Sequence, residues 1–511
     1  MDRQHLTVTD AAQEPLDNEG LRQPAPLVLV IFGASGDLAS RKILPALAQL
    51  AARGSLPSAF SVVGVARRPL GDDGFQDLAR SVAGDADTGA WSALVKNFRY
   101  ISGDYAHPAT FVELHKVLDE LDGSIGTSGN RIYYLATVPA VFATVADALG
   151  AEGLNRPGTG GTFANLVVEK PFGNDLASAH ALDEDLHRTF TEEQIFRTDH
   201  YMGKETVLNL LALRFANAIF EPIWNRRYVN HVQVTVAESI GIEHRGAFYE
   251  RAGALRDIVQ NHVMQVLALT LMEPPSSMDA TGIRDEKIKL LRSIVVRGTE
   301  APSEYLVRGQ YIRGQIDGED VPGYRDEEGV DPESHTETYV AMRFAVDNWR
   351  WAGVPIFIRT GKRLPRRATE VSMVFQRPPH LPFAGTLSAD LRPDTLTIRI
   401  QPDEGMSLCF GAKVPGPEFR LRTVAMNFSY AESFAGPTAD AYERLLLDAM
   451  LGDAMLFIRS DEVDQAWKIV TPALEAFAAD SIPVDGYAAG TWGPVEADRL
   501  IEAHGHEWLN P

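Results

Sequence analysis

Between Arg197 and Glu205 the chain reads Arg-Thr-Asp-His-Tyr-Met-Gly-Lys-Glu. Asp199, His200, Tyr201 and Lys204 crowd a carboxylate, an imidazole, a phenol and an ammonium into one short strip. Together such groups can accept a proton, orient a hydroxyl and neutralise a phosphate. Gly203 is expected to let the backbone turn between them. A polar surface turn is the plain alternative, and the rest of the chain decides between the two.

Val167 and Val168 run directly into Glu169-Lys170-Pro171-Phe172-Gly173. A strand that ends in a charged pair points that pair toward the edge where open α/β sheets bind ligands. Lys170 is therefore a candidate for holding a substrate oxygen or a cofactor, against a simple strand-end ion pair with Glu169. Farther on, Leu255, Ile258, Val259, Val263, Val266 and Leu267 form an apolar stripe at helical spacing, and His262 falls on it. A histidine there is either a satisfied core residue or a base tuned by burial and a carboxylate, and Asp199 is the carboxylate expected to orient it. Asp257, five residues before His262, is expected on a neighbouring face of the helix, within reach of a substrate hydroxyl. Glu238 and Lys362, each at the end of a strand-like run, complete the polar candidates.

Near the start, the apolar run Leu27 to Phe32 is followed by Gly33-Ala-Ser-Gly36-Asp-Leu-Ala39 and then by a helix-like stretch. The spacing departs from G-x-G-x-x-G. Strand, glycine-rich turn and helix start in that order nonetheless offer free N–H groups and a positive dipole end to a pyrophosphate. The next strand ends in Arg67 and Arg68, where an NAD enzyme often carries an acid. Guanidinium groups there suit a 2′-phosphate, which favours NADP.

The elements that must position these groups fall into two textures. From Leu27 to about residue 200, short apolar strands (Leu27 to Phe32, Phe60 to Val65, Arg131 to Ala136, Asn165 to Glu169) alternate with helical stretches such as Lys42 to Arg53. This predicts an α/β, Rossmann-like, doubly wound parallel sheet. Later segments alternate apolar and polar, as in Val232, Val234 and Val236. Similar runs recur at Thr338 to Val346, Pro355 to Arg359, Glu370 to Phe375 and Thr395 to Ile400. They predict an α+β half with a large, mostly antiparallel sheet, one face on a core and the other toward solvent or a partner. Phe248 to Met272 and Ala441 to Ile458 are expected as its covering helices. The expected organisation is a mobile, acidic tail over 1–24, a coenzyme domain over 25–200 and a substrate-binding and oligomerisation domain over 201–511.

Of the 511 residues 45% are hydrophobic, which suits packed cores, and the formal charge of -21 opposes nucleic acid and anionic membranes. No apolar run reaches bilayer length, and the N-terminus lacks the pattern of a signal peptide. A single cysteine, Cys409, excludes an intrachain disulfide and fits a reducing, cytoplasmic setting.

Taken together, these segments resemble the glucose-6-phosphate dehydrogenase family over about residues 27 to 511. The resemblance rests on the Gly-Ala-Ser-Gly-Asp-Leu-Ala loop, Glu-Lys-Pro-Phe-Gly at 169 to 173, the strip at 197 to 205 and Arg-Asp-Ile-Val-Gln-Asn-His at 256 to 262. Val-Pro-Gly-Tyr at 321 to 324, Arg-Thr-Gly-Lys at 359 to 362 and Gly-Thr-Trp-Gly-Pro at 490 to 494 add to it. It implies oxidation of D-glucose 6-phosphate to the 6-phosphogluconolactone, with hydride transfer to NADP, as the first step of the oxidative pentose phosphate pathway, without a metal. In that reading His262 is the base and Asp199 orients it. His200, Tyr201 and Lys204 hold the 6-phosphate, Lys362 and Arg367 approach the same substrate, and Lys170, Glu238 and Asp257 bond the sugar hydroxyls. Gly33, Ser35, Gly36, Asp37, Leu38, Arg67, Tyr134, Lys170 and Arg245 are implied to hold the coenzyme. The resemblance further implies a homodimer or homotetramer. The competing expectations are a dehydrogenase of another aldose or aldose phosphate and a non-catalytic NADP-binding sensor.

Overall fold

The computed structural model describes residues 23–86, 89–158, 160–296, 301–380, 391–433 and 439–511. The expected tail lies outside the described residues up to position 22.

Six strands form the first sheet: β1 (Leu27–Phe32), β2 (Phe60–Ala66), β3 (Arg99–Ser102), β4 (Arg131–Leu135), β5 (Ala164–Val168) and β6 (Ile195–Arg197). Their order is β3-β2-β1-β4-β5-β6, and every pairing is parallel. Every residue of β1 is wholly buried, as an inner strand of a parallel sheet requires, which is why it reads as an unbroken apolar run. The order reverses between β1 and β4. That reversal opens a crevice at the carboxyl ends of the strands, beside the loop that starts at Gly33.

Ten strands build the second sheet, with β7 (Val229–Ala237) near its middle. On one side of β7 lie Ala368–Phe375, Thr395–Gln401, Gly405–Lys413 and Leu421–Ser429. On the other lie Ile356–Gly361, Tyr339–Val346, Leu306–Ile312 and Val484–Ala488, with the short Ile294–Val295 paired to Tyr339–Val346. Only the pairings of β7 with Ile356–Gly361 and of Leu306–Ile312 with Val484–Ala488 are parallel. The expected α+β half is thus present, as a mixed and mostly antiparallel sheet.

One expectation is narrowed and two need correction. The alternation in β7 left its second face toward solvent or a partner, and the structure narrows this: Gln233 and Thr235 are as buried as the valines. The C-terminal segment covers them: Gln233 donates to the Glu507 carbonyl (2.8 Å) and accepts from the Leu509 N–H (2.8 Å). A polar residue on a strand can face a partner from its own chain, and periodicity does not distinguish that partner from water. Secondly, Phe248 to Met272 is not one helix. A helix over Gly246–Ala254 breaks at Gly253 (φ +63°, ψ 174°), and a π-helical stretch, Leu255–Val263, continues into an α-helix, Met264–Leu271. Thirdly, Ala441–Leu451 stops short of Ile458 because Gly452 ends it in the left-handed conformation (φ +70°).

The two halves interlock behind the candidate site. In helix Ser460–Ala478, the Trp467 indole donates to the Phe172 carbonyl (2.9 Å), and the Ile458 N–H donates to the Arg197 carbonyl (2.9 Å). Late sequence thereby fixes both early strips.

Candidate active site

The π-helical stretch brings Asp257 and His262 together. In an α-helix, residues five apart point in different directions, whereas the i→i+5 hydrogen bonds of a π-helix put them one turn apart on a common face. Asp257, expected on a neighbouring face of the helix, is thereby turned toward the same ammonium as His262. One ammonium touches both residues: Lys170 Nζ lies 2.8 Å from His262 Nε2, 3.2 Å from Asp257 Oδ1 and 3.1 Å from the Asp257 carbonyl. Lys170 hence pairs across the crevice with Asp257 rather than with Glu169. The Glu169 carboxylate instead accepts from the Tyr134 hydroxyl (2.5 Å).

On its other side, His262 Nδ1 meets Asp199 Oδ1 at 2.5 Å, and both side chains are 1% exposed. The same carboxylate oxygen accepts the Tyr201 N–H (2.9 Å). Burial alone would raise the Asp199 pKa, but the charge and hydrogen bond of His262 outweigh it and hold the carboxyl well below its ordinary value. Burial lowers the pKa of His262, with Asp199 opposing that shift. The result is a neutral imidazole with its Nδ1 proton fixed on Asp199 and a lone pair at Nε2. Such a group is a general base.

The Tyr201 ring stacks on His262, with centroids 4.1 Å apart and planes at 22°, and from there the site runs into a cationic cradle. Gln401 organises that cradle. Its carbonyl oxygen accepts from Lys204 Nζ (2.5 Å) and Arg367 Nη2 (2.9 Å), while its amide donates to the Tyr201 hydroxyl (3.1 Å) and Thr369 Oγ1 (2.9 Å). Two like charges thus converge on one neutral oxygen. Burial and then the Arg367 charge lower the Lys204 pKa, so an arriving dianion relieves repulsion. His200 lies against this group, 4.7 Å from the His262 ring centroid. Burial, followed by the charges of His262 and Lys170, lowers its pKa well below the ordinary value and makes it a neutral donor. Gly203 serves differently from expectation, since its φ is not positive. A Cβ there would sit 2.5 Å from the Ala441 carbonyl oxygen, so the glycine makes room for helix Ala441–Leu451 to pack against the strip.

Glu238 and Lys362 are not solvated strand ends. Lys362 Nζ meets Glu238 Oε2 at 2.6 Å and lies 5.1 Å from the centre of the buried Tyr249 ring. The Glu238 N–H donates to the Gly361 carbonyl (3.0 Å), which ties together the ends of the two parallel strands carrying the pair. Asp257 belongs to the same charge set. Burial raises its pKa, but Lys170 and Lys362 more than offset that and bring it down to about 2.

The coenzyme loop leaves β1 with Gly33 at φ +88°, where a Cβ would lie 2.3 Å from the Ala136 carbonyl oxygen. Only glycine fits there. Gly36 and Asp37 are exposed, and Ser35 and Leu38 are half-buried. The helix starts at Asp37, and its N-terminal end at the strand-order reversal fits a bound pyrophosphate. Arg67 and Arg68 are exposed just beyond β2. Two implied coenzyme residues stand apart from the loop. Tyr134 is buried with its hydroxyl on Glu169, and Arg245 is exposed with its guanidinium 6.0 Å from the Phe248 ring centre.

The model of the glucose-6-phosphate dehydrogenase NAD binding domain matches residues 30–209, and that of the glucose-6-phosphate dehydrogenase C-terminal domain matches residues 211–509. Glucose-6-phosphate 1-dehydrogenase 2 of Mycobacterium tuberculosis strain ATCC 25618 / H37Rv is 47% identical over 495 residues, 96% of each chain. The Bacillus subtilis strain 168 glucose-6-phosphate 1-dehydrogenase is 42% identical over 489 residues, 96% of this chain and 99% of its own. The chain belongs to the glucose-6-phosphate dehydrogenase family. A solved glucose-6-phosphate dehydrogenase in complex with its substrate glucose-6-phosphate superposes with a TM-score of 0.87 at 34% identity, over 96% of this chain and 99% of that one. The enzyme from Mycobacterium avium gives 0.80 at 36%, over 95% and 99%. The first sheet is thus an NAD(P)-binding domain of this family.

Sequence reasoning missed Gln401, Thr369 and Tyr249. Gln401 follows the strand-like run Thr395 to Ile400 and precedes Pro402. A polar residue at a strand end was the signal available, and it is too common to single one out.

Proposed function

We propose that this chain oxidises the C1 hydroxyl of D-glucose 6-phosphate to 6-phospho-D-glucono-1,5-lactone with NADP as acceptor, opening the oxidative pentose phosphate pathway. One observation carries the reading. A buried, carboxylate-oriented imidazole whose Nε2 lone pair faces Lys170 stands one aromatic ring, that of Tyr201, away from a cradle of two cations. A base beside an anion cradle is what a phosphorylated sugar alcohol requires.

In this mechanism Lys204 and Arg367 bind the phosphate, with His200 and Tyr201 as neutral donors. That binding energy fixes the sugar against the base. Lys362, Glu238 and Asp257 bond the ring hydroxyls. Lys170 donates to the oxygen on C1, and His262 Nε2 removes its proton. Asp199 stabilises the imidazolium so formed. The bound coenzyme supplies the acceptor for the hydride that leaves C1. Gly33, Ser35, Gly36, Asp37 and Leu38 would hold its pyrophosphate, and Arg67 a 2′-phosphate. The coenzyme domain is proposed over 25–200 and the substrate domain over 201–511, in a cytoplasmic homodimer or homotetramer. No helix among the described residues is long and apolar enough to cross a membrane.

The test follows coenzyme reduction with glucose 6-phosphate, galactose 6-phosphate and free glucose, each with NADP and with NAD. Turnover highest with glucose 6-phosphate and NADP is expected. Tight NADP binding without turnover on any hexose phosphate would overturn the assignment.

A further inference from the structure

Glu337 is a buried carboxylate, 4% exposed, at the entrance to strand Tyr339–Val346 and outside every motif described above. Its side chain does not reach solvent. Instead Oε1 accepts the Leu255 N–H (3.0 Å), and its main-chain carbonyl accepts the Ala254 N–H (3.0 Å). These are N–H groups at the start of the π-helical stretch, where a helix leaves its donors without intrahelical partners. The same stretch carries Asp257 and His262. Gly253 makes the approach possible: a Cβ there would stand 2.3 Å from Glu337 Oε1, and its φ of +63° already favours glycine.

The adjacent residue holds the opposite wall of the site. The Thr338 carbonyl accepts the Lys362 N–H (3.0 Å), and the Thr338 hydroxyl meets the Tyr487 hydroxyl (3.1 Å), which in turn donates to the Lys362 carbonyl (2.6 Å). Two consecutive residues therefore fix two parts of the site. Glu337 anchors the stretch bearing the imidazole, and Thr338 anchors the backbone of the lysine that pairs with Glu238.

We propose that Glu337 is a positioning residue for catalysis: by accepting the Leu255 N–H it sets the register of the π-helical stretch and so the seating of His262 on Asp199 and of Asp257 on Lys170. The inference rests on the reading of His262 as the base. It requires an acceptor atom at the right reach, not a charge. Burial raises the Glu337 pKa, against the opposing pull of the Leu255 N–H, which agrees with a role that does not depend on ionisation.

Glu337→Gln and Glu337→Asp separate reach from charge, since Gln keeps the acceptor in place while Asp keeps the carboxylate but withdraws it by one methylene. Both are assayed in the full-length enzyme after thermal melting has fixed the folded fraction, with His262→Asn alongside. The Asp variant is expected to lose about tenfold or more in kcat, with KM within about twofold, because displacement of a reacting group by an ångström costs up to about 100-fold. Its acid limb in the kcat profile moves to lower pH, because a loosened Asp199 no longer holds the imidazole pKa up. Gln restores both the rate and the limb. An Asp variant with wild-type kcat and limb, or a Gln variant as impaired as Asp, overturns the proposal. If His262→Asn itself retains wild-type kcat, the base assignment fails instead, whatever Glu337 does.

Discussion

Lys170 Nζ stands 2.8 Å from His262 Nε2. An ammonium can only donate, so the ring nitrogen that faces the crevice carries its lone pair, and the imidazole proton is at Nδ1 on Asp199. His262→Asn should lower kcat by about 100- to 10,000-fold, the usual span for a lost general base, while changing KM little. Equal weakening of substrate affinity with unchanged kcat would remove His262 from the chemistry.

The pH profile should carry the signature of burial. With the His262 pKa lowered, the acid limb of kcat/KM is expected below the ordinary histidine value of about 6.5. Asp199 opposes that shift, so Asp199→Asn should move the limb lower still and reduce kcat. A limb at or above the ordinary value in the native enzyme contradicts the assignment.

Lys204→Ala should raise the KM for glucose 6-phosphate by about 10- to 100-fold, the equivalent of one charge-assisted hydrogen bond. Gln401→Leu should act in the same direction, since it leaves the Lys204 and Arg367 charges facing each other without the shared acceptor. Inhibition by inorganic phosphate, measured as Ki, should weaken in parallel. An unchanged Ki would place the phosphate elsewhere.

Arg67→Ala should raise the KM for NADP by about tenfold or more through loss of one charge-assisted contact, and leave that for NAD nearly unchanged. Loss of both coenzymes together would mean that Arg67 shapes the loop rather than reads the 2′-phosphate.

The C-terminal segment should respond to acid. His231 accepts from the Gln233 amide at Nε2 (2.9 Å) and stacks on His506 at 4.1 Å, and the same amide holds Glu507 and Leu509. Burial, with the His506 charge, lowers its pKa to about 3. A depressed folded-state pKa means that the unfolded chain binds the proton first. Its contribution to stability is therefore complete above the unfolded value of about 6.5 and is lost as pH falls toward the folded one. The melting temperature should drop across that window, and His231→Gln should flatten the drop. An equal slope in that variant would assign the acid response to other groups.

The chemistry was legible in the sequence because it is local. Asp199, His200, Tyr201 and Lys204 are near neighbours, and a strand followed by a glycine turn and a helix start needs no distant partner to be recognised. β1 could be read for the same reason, since an unbroken apolar run fits a strand buried on both faces. The alternation in β7 left solvent and a partner undecided, because burial against the chain's own C-terminus looks like exposure in a periodic pattern.

What the sequence determined by itself is the set of reactive groups, the family and the two kinds of sheet. Their physics is written in side-chain type and short-range spacing. Only the tertiary structure decided which groups meet. His262 lies 63 positions from Asp199 and 92 from Lys170, and Gln401 lies 197 from Lys204. Contacts over such separations depend on the packing of whole elements, which no local pattern encodes. The π-helical register that sets Asp257 beside His262 is likewise a packing outcome, since spacing alone predicts the α-helical face and puts the two apart.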